Sequence, residues 1–299
     1  MDERSMDARQ GTLIRGIGSF YTVRDADGEE YTLRCKKKFR RQKMSPMTGD
    51  EVIFVPGRGE EDGWIEEILP RKTECLRPPV ANVTRLVMVI SPVPEPDMLL
   101  TDRLISRAFA QGMDMIIAVN KSDLDPGMGE RIRQEYAAAG IPVFPVCAVR
   151  GEGLDALKEA MRGALCCLTG QSGAGKSTIL NALLGLELET GDISRKIARG
   201  KNTTRQSELI EKDGLRVMDT AGFNLLEPEK LLEPEKLKER YPEFRPYEGK
   251  CRFRECLHDR EPGCAVTRAV ADHLLSAERV ERYRQLLNET REVWRSRYD

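Results

Sequence analysis

The segment Leu165-Cys166-Cys167-Leu168-Thr169-Gly170-Gln171-Ser172-Gly173-Ala174-Gly175-Lys176-Ser177 decides the fold. An apolar run enters it and the helix-forming run 177–184 leaves it, so GxxxxGKS stands between a predicted strand and a predicted helix. A phosphate-binding loop requires that context, because its glycines let backbone N–H groups surround phosphate oxygens. The candidate phosphate-binding residues are Gly170, Gln171, Ser172, Gly173, Ala174, Gly175, Lys176, Ser177 and Thr178.

Two side chains of this loop have predicted roles of their own. Lys176 is expected to reach the β- and γ-phosphates of a nucleoside triphosphate, and Ser177 to ligate Mg²⁺. The alternative is a glycine-rich turn that matches by chance, and the order strand, loop, helix disfavours it.

A guanine-selecting motif, Asn120-Lys121-Ser122-Asp123 (NKxD), directly follows the apolar run 115–119. A carboxylate at Asp123 can accept hydrogen bonds from guanine N1–H and N2–H₂, a donor pattern that adenine lacks. Asn120 is expected to bridge the base and the phosphate loop, and Lys121 to lay its stem along the ring. By itself NKxD is a weak match, since polar residues are common where a strand meets a loop.

A second base-contact candidate, Cys147-Ala148, strengthens the interpretation. The backbone N–H of Ala148 is expected to face guanine O6, and Cys147 stands where serine is usual. In an ordinary GTPase the phosphate loop comes first, whereas here NKxD precedes it. The chain is therefore predicted to bind GTP and GDP on a circularly permuted domain.

The candidate switch segments follow the phosphate loop. Residues 219–222 read as DxxG, in which Asp219 would orient Mg²⁺ through water and the Gly222 N–H would sense the γ-phosphate. Thr204 is the preferred switch I residue for Mg²⁺ and the γ-phosphate, with Thr203 as the alternative.

Phe223 occupies the position where many GTPases place a glutamine that orients the attacking water. A phenyl ring cannot orient water, so intrinsic hydrolysis is expected to be slow. We expect a bound partner to position the nucleophile.

A compact cluster near the C-terminus has the composition of a zinc site. Three thiolates and one imidazole form a closed tetrahedral ligand set, which indicates one structural Zn²⁺. The candidate ligands are Cys251, Cys256, His258 and Cys264. Scattered buried cysteines with a surface histidine are the alternative. The chain has eight cysteines, of which three are candidate zinc ligands and Cys147 is a base-contact candidate. The other four are interpreted as ordinary apolar side chains: Cys35, Cys75, Cys166 and Cys167.

The first part of the chain is predicted to form a small β-barrel of the OB type. Its strand-like runs are 19–23, 30–33, 50–55 and 64–68, with glycine-rich turns between them. The basic run 34–43 would lie on one loop of this barrel, where it either binds nucleic acid or is simply solvated. Phe39 within it would stack on a base or anchor the loop.

Composition sets the limits of the prediction. The 299 residues carry a net charge of −1 and are 32% charged and 40% hydrophobic, which fits a soluble cytoplasmic protein and excludes nucleic-acid binding over the whole surface.

Buried strands alternating with helices predict a three-layer α/β domain in the middle of the chain. The predicted domains are the barrel (1–76), the permuted GTPase domain (77–224) and a zinc-binding, mostly helical domain (225–299).

Together these features resemble the circularly permuted, small-ribosomal-subunit-dependent GTPases (RsgA type) of bacteria. The resemblance covers nearly the whole chain, including the lead-in 77–83 and the region 251–266. It implies a monomer that binds the 30S subunit, contacts 16S rRNA through barrel and zinc domain, and hydrolyses GTP late in assembly, with no membrane partner.

Three positions depart from related GTPases. Asn202 replaces a histidine that often precedes the two threonines, and asparagine cannot act as a general base near neutral pH. Ala221 replaces a proline that would restrict the switch II turn. Gly173 replaces the asparagine of some potassium-activated GTPases, which weakens any expectation of potassium dependence.

Two rival functions stay open at this stage. One is a nucleotide-gated RNA-binding scaffold with negligible hydrolysis, which Phe223 and Asn202 favour. The other is a permuted GTPase that acts on a different RNA assembly, such as the large subunit.

Overall fold

The computed structural model describes residues 8–36, 38–39, 44–57, 62–76, 79–186, 207–220 and 232–298. The chain divides into two compact units. The first comprises Met1–Arg85, Ala160–Leu168 and Leu186–Asn224, and the second comprises Leu86–Glu159, Thr169–Gly185 and Leu225–Asp299.

The first unit contains a closed five-stranded barrel. Its strands are β1 (Arg9–Ile17), β2 (Phe20–Asp25), β3 (Glu30–Cys35), β4 (Glu51–Val55) and β5 (Gly63–Ile68). They pair in the order β1-β2-β3-β5-β4, and β4 returns to β1, which closes the barrel. Only the β3–β5 pair among these is parallel. The predicted barrel is confirmed, with one strand, β1, that the sequence analysis did not delimit.

Side chains that alternate between inward and outward positions along the strands fill the inside of the barrel. One side of each strand points inward and meets the others in a single apolar cluster. Its buried members are Leu13, Val23, Leu33, Phe39, Val52, Phe54, Ile65 and Ile68. A short antiparallel pair, β6 (Glu74–Leu76) and β7 (Pro79–Ala81), follows the barrel.

The second unit begins with an α/β alternation. Strands β8 (Arg85–Ile90), β9 (Asp114–Val119) and β10 (Val143–Pro145) lie side by side in the order β10-β9-β8. Between them are α1 (Met98–Ala110) and α2 (Met128–Tyr136), and α3 (Leu154–Met161) follows β10. Strands β8 and β9 are buried along almost their whole length, as expected for strands covered on both faces.

Three further strands continue the chain. They are β11 (Leu165–Thr169), β12 (Ser207–Lys212) and β13 (Leu215–Thr220), where β11 and β13 are parallel and β12 and β13 antiparallel. Helix α4 (Lys176–Leu184) follows β11 after the glycine-rich loop. The strand–loop–helix order predicted from the sequence is confirmed.

Residues 232–298, here called the C-terminal lobe, are mostly helical. They form two 3₁₀ helices (Pro234–Arg240 and Pro242–Tyr247), α5 (Ala265–Ala271), α6 (Ala277–Arg295) and a final 3₁₀ turn (Ser296–Tyr298). Three fully buried rings form its centre: Tyr241 stacks on Phe244 at 5.2 Å, and Tyr283 meets both edge-on at 4.8 and 4.9 Å.

A buried charge cluster joins this lobe to α1 within the second unit. Asp102 is fully buried and accepts hydrogen bonds from Arg279, from Arg282 and from the Tyr136 hydroxyl, the last at 2.7 Å. Arg279 also donates to Glu243. Buried charges are tolerated only when paired in this way, so these contacts fix α6 against α1.

Candidate nucleotide site and metal centre

The glycine-rich loop between β11 and α4 has, at three positions, a backbone conformation that residues with a side chain rarely adopt. Gly170, Gly173 and Gly175 have φ values of +132°, +81° and +95°. A Cβ atom on Gly170 would collide with the Val89 carbonyl oxygen, and one on Gly175 with the Asn120 side chain. The glycines thus serve both a turn and the close approach of two neighbouring segments.

Lys176 begins α4 and turns back over this loop. Its Nζ donates to the carbonyl oxygens of Gly170 at 2.8 Å and Gln171 at 2.9 Å. Burial lowers the pKa of Lys176. A bound polyphosphate would reverse that effect, because nearby anionic oxygens favour the charged ammonium. Ser177 and Thr178 lie half-buried in the first turn of the helix.

Asn120 is the hub of the site. Its side chain is buried, and its Nδ2 donates to the Ala174 carbonyl oxygen of the phosphate loop at 3.0 Å. Its Oδ1 accepts from the Ala148 backbone N–H at 3.2 Å. One amide thereby ties the phosphate loop to the loop that follows β10. The Ala148 N–H donates to Asn120 and not to a base in this structure. Its contact with guanine O6 therefore stays a prediction.

Lys121 links two further segments. Its Nζ donates to the carbonyl oxygens of Gly173 at 2.8 Å and Val93 at 2.5 Å. The residue has a positive φ of 58°, which aims its side chain back across the phosphate loop. These contacts place the Lys121 side chain across the phosphate loop, and its predicted contact with the guanine ring stays a prediction.

Asp123 is exposed at the edge of this pocket and is held by a thiol. Cys147 Sγ donates to Asp123 Oδ1 at 3.2 Å. This hydrogen bond from Cys147 is the main reason that the pKa of Asp123 lies below its usual range. The carboxylate that would read guanine N1–H and N2–H₂ is thus kept ionised. Residues 120–123 with 147–148 are called the guanine pocket below.

Two contributors to the site were missed from the sequence. Arg150 Nε donates to Cys147 Sγ at 3.4 Å, in a turn closed by a backbone hydrogen bond from Arg150 N to Cys147 O. Asp97, the N-cap of α1, donates its backbone N–H to Gln171 Oε1 of the phosphate loop at 3.1 Å. An Asp three residues before a helical Leu is a readable capping signal, whereas its contact with Gln171 is not.

Asp219 lies near the end of β13, half-buried and opposite Glu208 on β12. Burial, and then the neighbouring Glu208, raise the pKa of Asp219. A cation beside it would reverse this shift, as expected of a carboxylate near a metal. Other predicted switch positions lie outside the described residues: Asn202, Thr203, Thr204, Ala221, Gly222 and Phe223.

The four predicted zinc ligands converge. Their ligand atoms all lie within 4.8 Å of one another. His258 Nδ1 lies 3.6, 3.7 and 3.5 Å from the Sγ atoms of Cys251, Cys256 and Cys264. With Zn–S and Zn–N bonds of ordinary length, the N–S edge of a tetrahedron is about 3.6 Å. The observed edges match, so the donor set fits a tetrahedral Zn²⁺.

The surroundings support a metal rather than four ordinary side chains. The backbone N–H groups of Ala265 and His258 point at Cys251 Sγ (3.3 Å) and Cys256 Sγ (3.4 Å), contacts that suit thiolate sulfur. Burial lowers the pKa of His258, which keeps its ring neutral and able to bind a cation. The His258 ring packs edge-on against Phe244 at 5.3 Å, which fixes its orientation.

Of the four cysteines interpreted as apolar thiols, Cys75, Cys166 and Cys167 are buried and Cys35 is partly buried. Cys166 is fully buried, and burial raises its pKa to about 12, so it is an unreactive apolar thiol. Phe39 is buried in the barrel core with Lys38 Nζ 5.1 Å from its ring centre. Of its two predicted roles, the structure shows the anchor.

Among the described residues, none of the helices has the length and apolar character needed to cross a bilayer.

Comparison with known proteins accounts for this arrangement. The sequence model of the RsgA GTPase family matches residues 68–229, and that of the RsgA N-terminal domain matches residues 10–65. A small ribosomal subunit biogenesis GTPase RsgA from Ruminiclostridium cellulolyticum is 40% identical over 95% of this chain and 94% of its own length. One from Geobacillus thermodenitrificans is 40% identical over 95% and 98%.

Solved structures agree with the sequence relatives. YjeQ from Thermotoga maritima has a TM-score of 0.80 and 30% identity, covering 95% of this chain and 98% of its own. YloQ, described as a circularly permuted GTPase, has a TM-score of 0.78 and 28% identity, covering 98% of each chain. The chain therefore belongs to the RsgA family of circularly permuted GTPases.

Proposed function

We propose that this protein is a GTPase of late small-subunit assembly. It binds GTP, associates with the 30S subunit and 16S rRNA, and hydrolyses the nucleotide to GDP and phosphate when the subunit stimulates it. The observation that carries the proposal is Asn120, whose amide joins the guanine motif to the phosphate loop. The curated relatives supply the subunit, since their names assign them to small-subunit biogenesis.

The roles follow from chemistry. Asp123 pairs with guanine N1–H and N2–H₂, Lys121 covers one face of the ring, and Ala148 lies by O6. The backbone of Gly170–Gly175 surrounds the phosphates and Lys176 neutralises the β- and γ-oxygens. Mg²⁺, when bound, would supply positive charge that offsets the charge of the phosphates. The proposed protein ligands of Mg²⁺ are Ser177 and Thr204, and Asp219 would act on it through water. The Gly222 N–H would sense the γ-phosphate. Thr178 and Thr203, the sequence neighbours of Ser177 and Thr204, complete the proposed nucleotide-binding residues.

We propose that a bound partner positions the water molecule that attacks the γ-phosphate. In-line attack needs a group that orients water, and neither Phe223 nor Asn202 can act as a general base. Docking on the 30S subunit is proposed to complete the site. We therefore expect slow GTP turnover by the protein alone and fast turnover when it is bound to the 30S subunit.

The remaining parts support the same assignment. One structural Zn²⁺ at the Cys₃His cluster would stabilise the C-terminal lobe, and the barrel and lobe would contact rRNA. We propose the division into barrel (1–76), permuted GTPase domain (77–224) and zinc-binding domain (225–299), acting as a cytoplasmic monomer.

Turnover assays test the proposal. GTP and ATP are each supplied to the purified, zinc-loaded protein alone, with 30S and with 50S subunits. The expected result is slow GTP turnover alone, at least about 10-fold stimulation by 30S, little by 50S, and no ATP turnover. Equal ATP turnover, or no response to 30S, would contradict it.

The rival functions correspond to other outcomes of the same assay. Tight GTP binding with no multiple turnover, even on 30S, would favour a nucleotide-gated scaffold, which Phe223 and Asn202 make a specific alternative. Stimulation and co-sedimentation with 50S would indicate a GTPase of a different assembly.

A further inference from the structure

Four exposed side chains form one row across the outside of the barrel. Ile17 on β1 pairs in register with Phe20 on β2, Phe20 with Arg34 on β3, and Arg34 with Trp64 on β5. Residues in register on adjacent strands point to the same side of the sheet. We call Ile17, Phe20, Arg34 and Trp64 the outer row.

The barrel core does not explain the outer row. The inward-facing neighbours of these residues, such as Leu33 beside Arg34 and Ile65 beside Trp64, fill the core and are fully buried. Phe20 and Trp64 are each 40% exposed and Ile17 is 51% exposed. Two large aromatic rings on the same outward face, with one strand between them, leave apolar area in water, a feature that marks interaction surfaces.

The outer row is arranged for flat ligands. The Arg34 guanidinium lies 4.7 Å from the Phe20 ring centre, and Asp62 holds it there through an ion pair of 2.6 Å to Nε. Phe20 and Trp64 lie two strands apart, about 10 Å at ordinary strand spacing, with the guanidinium between them. The surface therefore presents two aromatic faces on either side of a planar cation.

Among possible occupants, charge favours single-stranded nucleic acid. The centre of the row is the Arg34–Asp62 ion pair, which an apolar peptide or a hydrophobic patch of a second copy would remove from water without a new polar partner. The sequence from Arg34 to Lys43 contains lysines and arginines and no acidic residue, so phosphates near the end of β3 meet positive charge. Bases stack on aromatic and guanidinium planes alike.

The strand order points to the same face. Strands β2 and β3 of a barrel ordered β1-β2-β3-β5-β4 form the oligonucleotide-binding surface of OB folds in general. The sequence had suggested Phe39 as the stacking ring, but that side chain is buried. Phe20 and Trp64 are the exposed rings on this face instead.

We propose that the outer row stacks unpaired bases of single-stranded RNA, so that the barrel distinguishes unpaired RNA from duplex. In an assembling subunit this would favour rRNA segments that have not yet paired. That biological setting rests on the proposed function, whereas the stacking itself does not.

Trp64 provides a direct readout. The chain has two tryptophans, so a Trp294→Phe variant leaves Trp64 as the single indole emitter. The full-length, zinc-loaded variant is titrated with oligouridylate and with a blunt-ended RNA duplex at the same concentration of phosphates. The expected result is quenching of Trp64 emission by the single strand and not by the duplex. Equal quenching by both RNAs, or none by the single strand, would overturn the proposal.

Substitutions separate stacking from charge. Phe20→Ala is expected to weaken oligouridylate binding about 10-fold, since stacking is worth roughly 1–3 kcal/mol per base, and to leave the salt dependence unchanged. Phe20→Tyr retains the ring and should bind as the parent does, which shows that the alanine effect is not unfolding. Val293→Ala, at an exposed apolar position of α6, is the matched control.

Measurements of RNA binding and of GTP turnover separate the stacking proposal from the GTPase proposal. Phe20→Ala should keep the basal turnover of GTP and the far-UV circular dichroism of the parent. Unchanged oligouridylate affinity in Phe20→Ala would overturn the stacking role even if 30S still stimulates hydrolysis. A dimer of the parent that Phe20→Ala converts to monomer would assign the row to self-association and also overturn it.

Discussion

The guanine pocket and the Cys₃His cluster are both made of loops, yet they are held together differently. In the pocket, Asn120 and Asp123 already have protein partners at Ala174, Ala148 and Cys147. In the cluster, the three sulfur atoms and one nitrogen face one another at the distances of a tetrahedral metal site. Hydrogen bonds within the chain hold the first site, and we propose that a metal ion holds the second.

This difference separates a functional ligand from a structural one. We expect the Asn120 and Asp123 side chains, which the chain itself holds by hydrogen bonds, to keep their places when GTP and GDP exchange. A cluster whose thiolates would repel one another without a cation cannot release its ion and keep its shape. We therefore expect losses at the cluster to cost folding, and losses at the pocket to cost affinity.

The largest expected effect is loss of the metal. Cys256→Ala should abolish binding of about one Zn²⁺ per chain and unfold the C-terminal lobe, because structural zinc contributes roughly 10 kcal/mol or more to folding. Metal analysis and thermal melting measure both effects. Cys35→Ala, in the barrel, should keep the zinc. A Cys256→Ala protein that melts as the parent does would remove the distinction.

The next effect concerns how the lobe is fixed to α1. Asp102→Asn removes the charge that Arg279 and Arg282 share, and breaking a buried ion pair costs about 3–5 kcal/mol. Glu289→Gln, which breaks the partly exposed pair with Arg103 on the same two helices, should cost less than about 1 kcal/mol. Chemical denaturation compares the two. Equal, small losses would mean that the buried cluster does not hold the lobe.

A smaller effect, on binding rather than folding, is expected at Asn120. Asn120→Ala leaves the Ala148 N–H and the Ala174 carbonyl without their partner and should weaken GDP binding about 10- to 100-fold. Ser122→Ala, within the same motif, should bind GDP normally. Calorimetric titration measures the change. If Asn120→Ala instead unfolds the chain and leaves the affinity of the folded fraction intact, the pocket is not the preassembled site described here.

The smallest effect distinguishes a thiol from a hydroxyl. Cys147→Ser keeps a donor to Asp123 and should bind GDP as the parent does, whereas Cys147→Ala should bind a few-fold more weakly. The Cys147 hydrogen bond lowers the pKa of Asp123, so its loss raises that pKa and lets the carboxylate protonate at a higher pH. On acidification, Cys147→Ala should therefore lose GDP affinity before Cys147→Ser does. Identical pH profiles would show that Cys147 does not hold the carboxylate.

Local motifs made both sites predictable from sequence. GxxxxGKS, NKxD and the Cys₃His spacing each place ligand groups within one short segment, where chain geometry constrains them strongly. The predicted zinc set is the one that converges in the structure. Buried apolar runs were equally readable as the strands β8, β9 and β11.

Contacts between distant segments were not predictable in this way. Asp102 and Arg279 are 177 positions apart, and neither position is unusual among the many charged residues of the chain. The outer row depends on the pairing register of four strands, which the separate strand patterns do not specify. β1 was not delimited because glycines interrupt it and its alternation shifts at a bulge between Leu13 and Arg15.

Hydrogen exchange measured by mass spectrometry compares the stability of the guanine pocket with that of the Cys₃His cluster in one experiment. Three samples are compared: protein with zinc and GDP, protein without GDP, and protein treated with a chelator. We expect peptides covering 115–124 and 143–149 to keep their protection without GDP, and peptides covering 237–287 to lose theirs when zinc is removed. Loss of protection in the guanine pocket without GDP, or full protection of the lobe without zinc, would contradict this expectation.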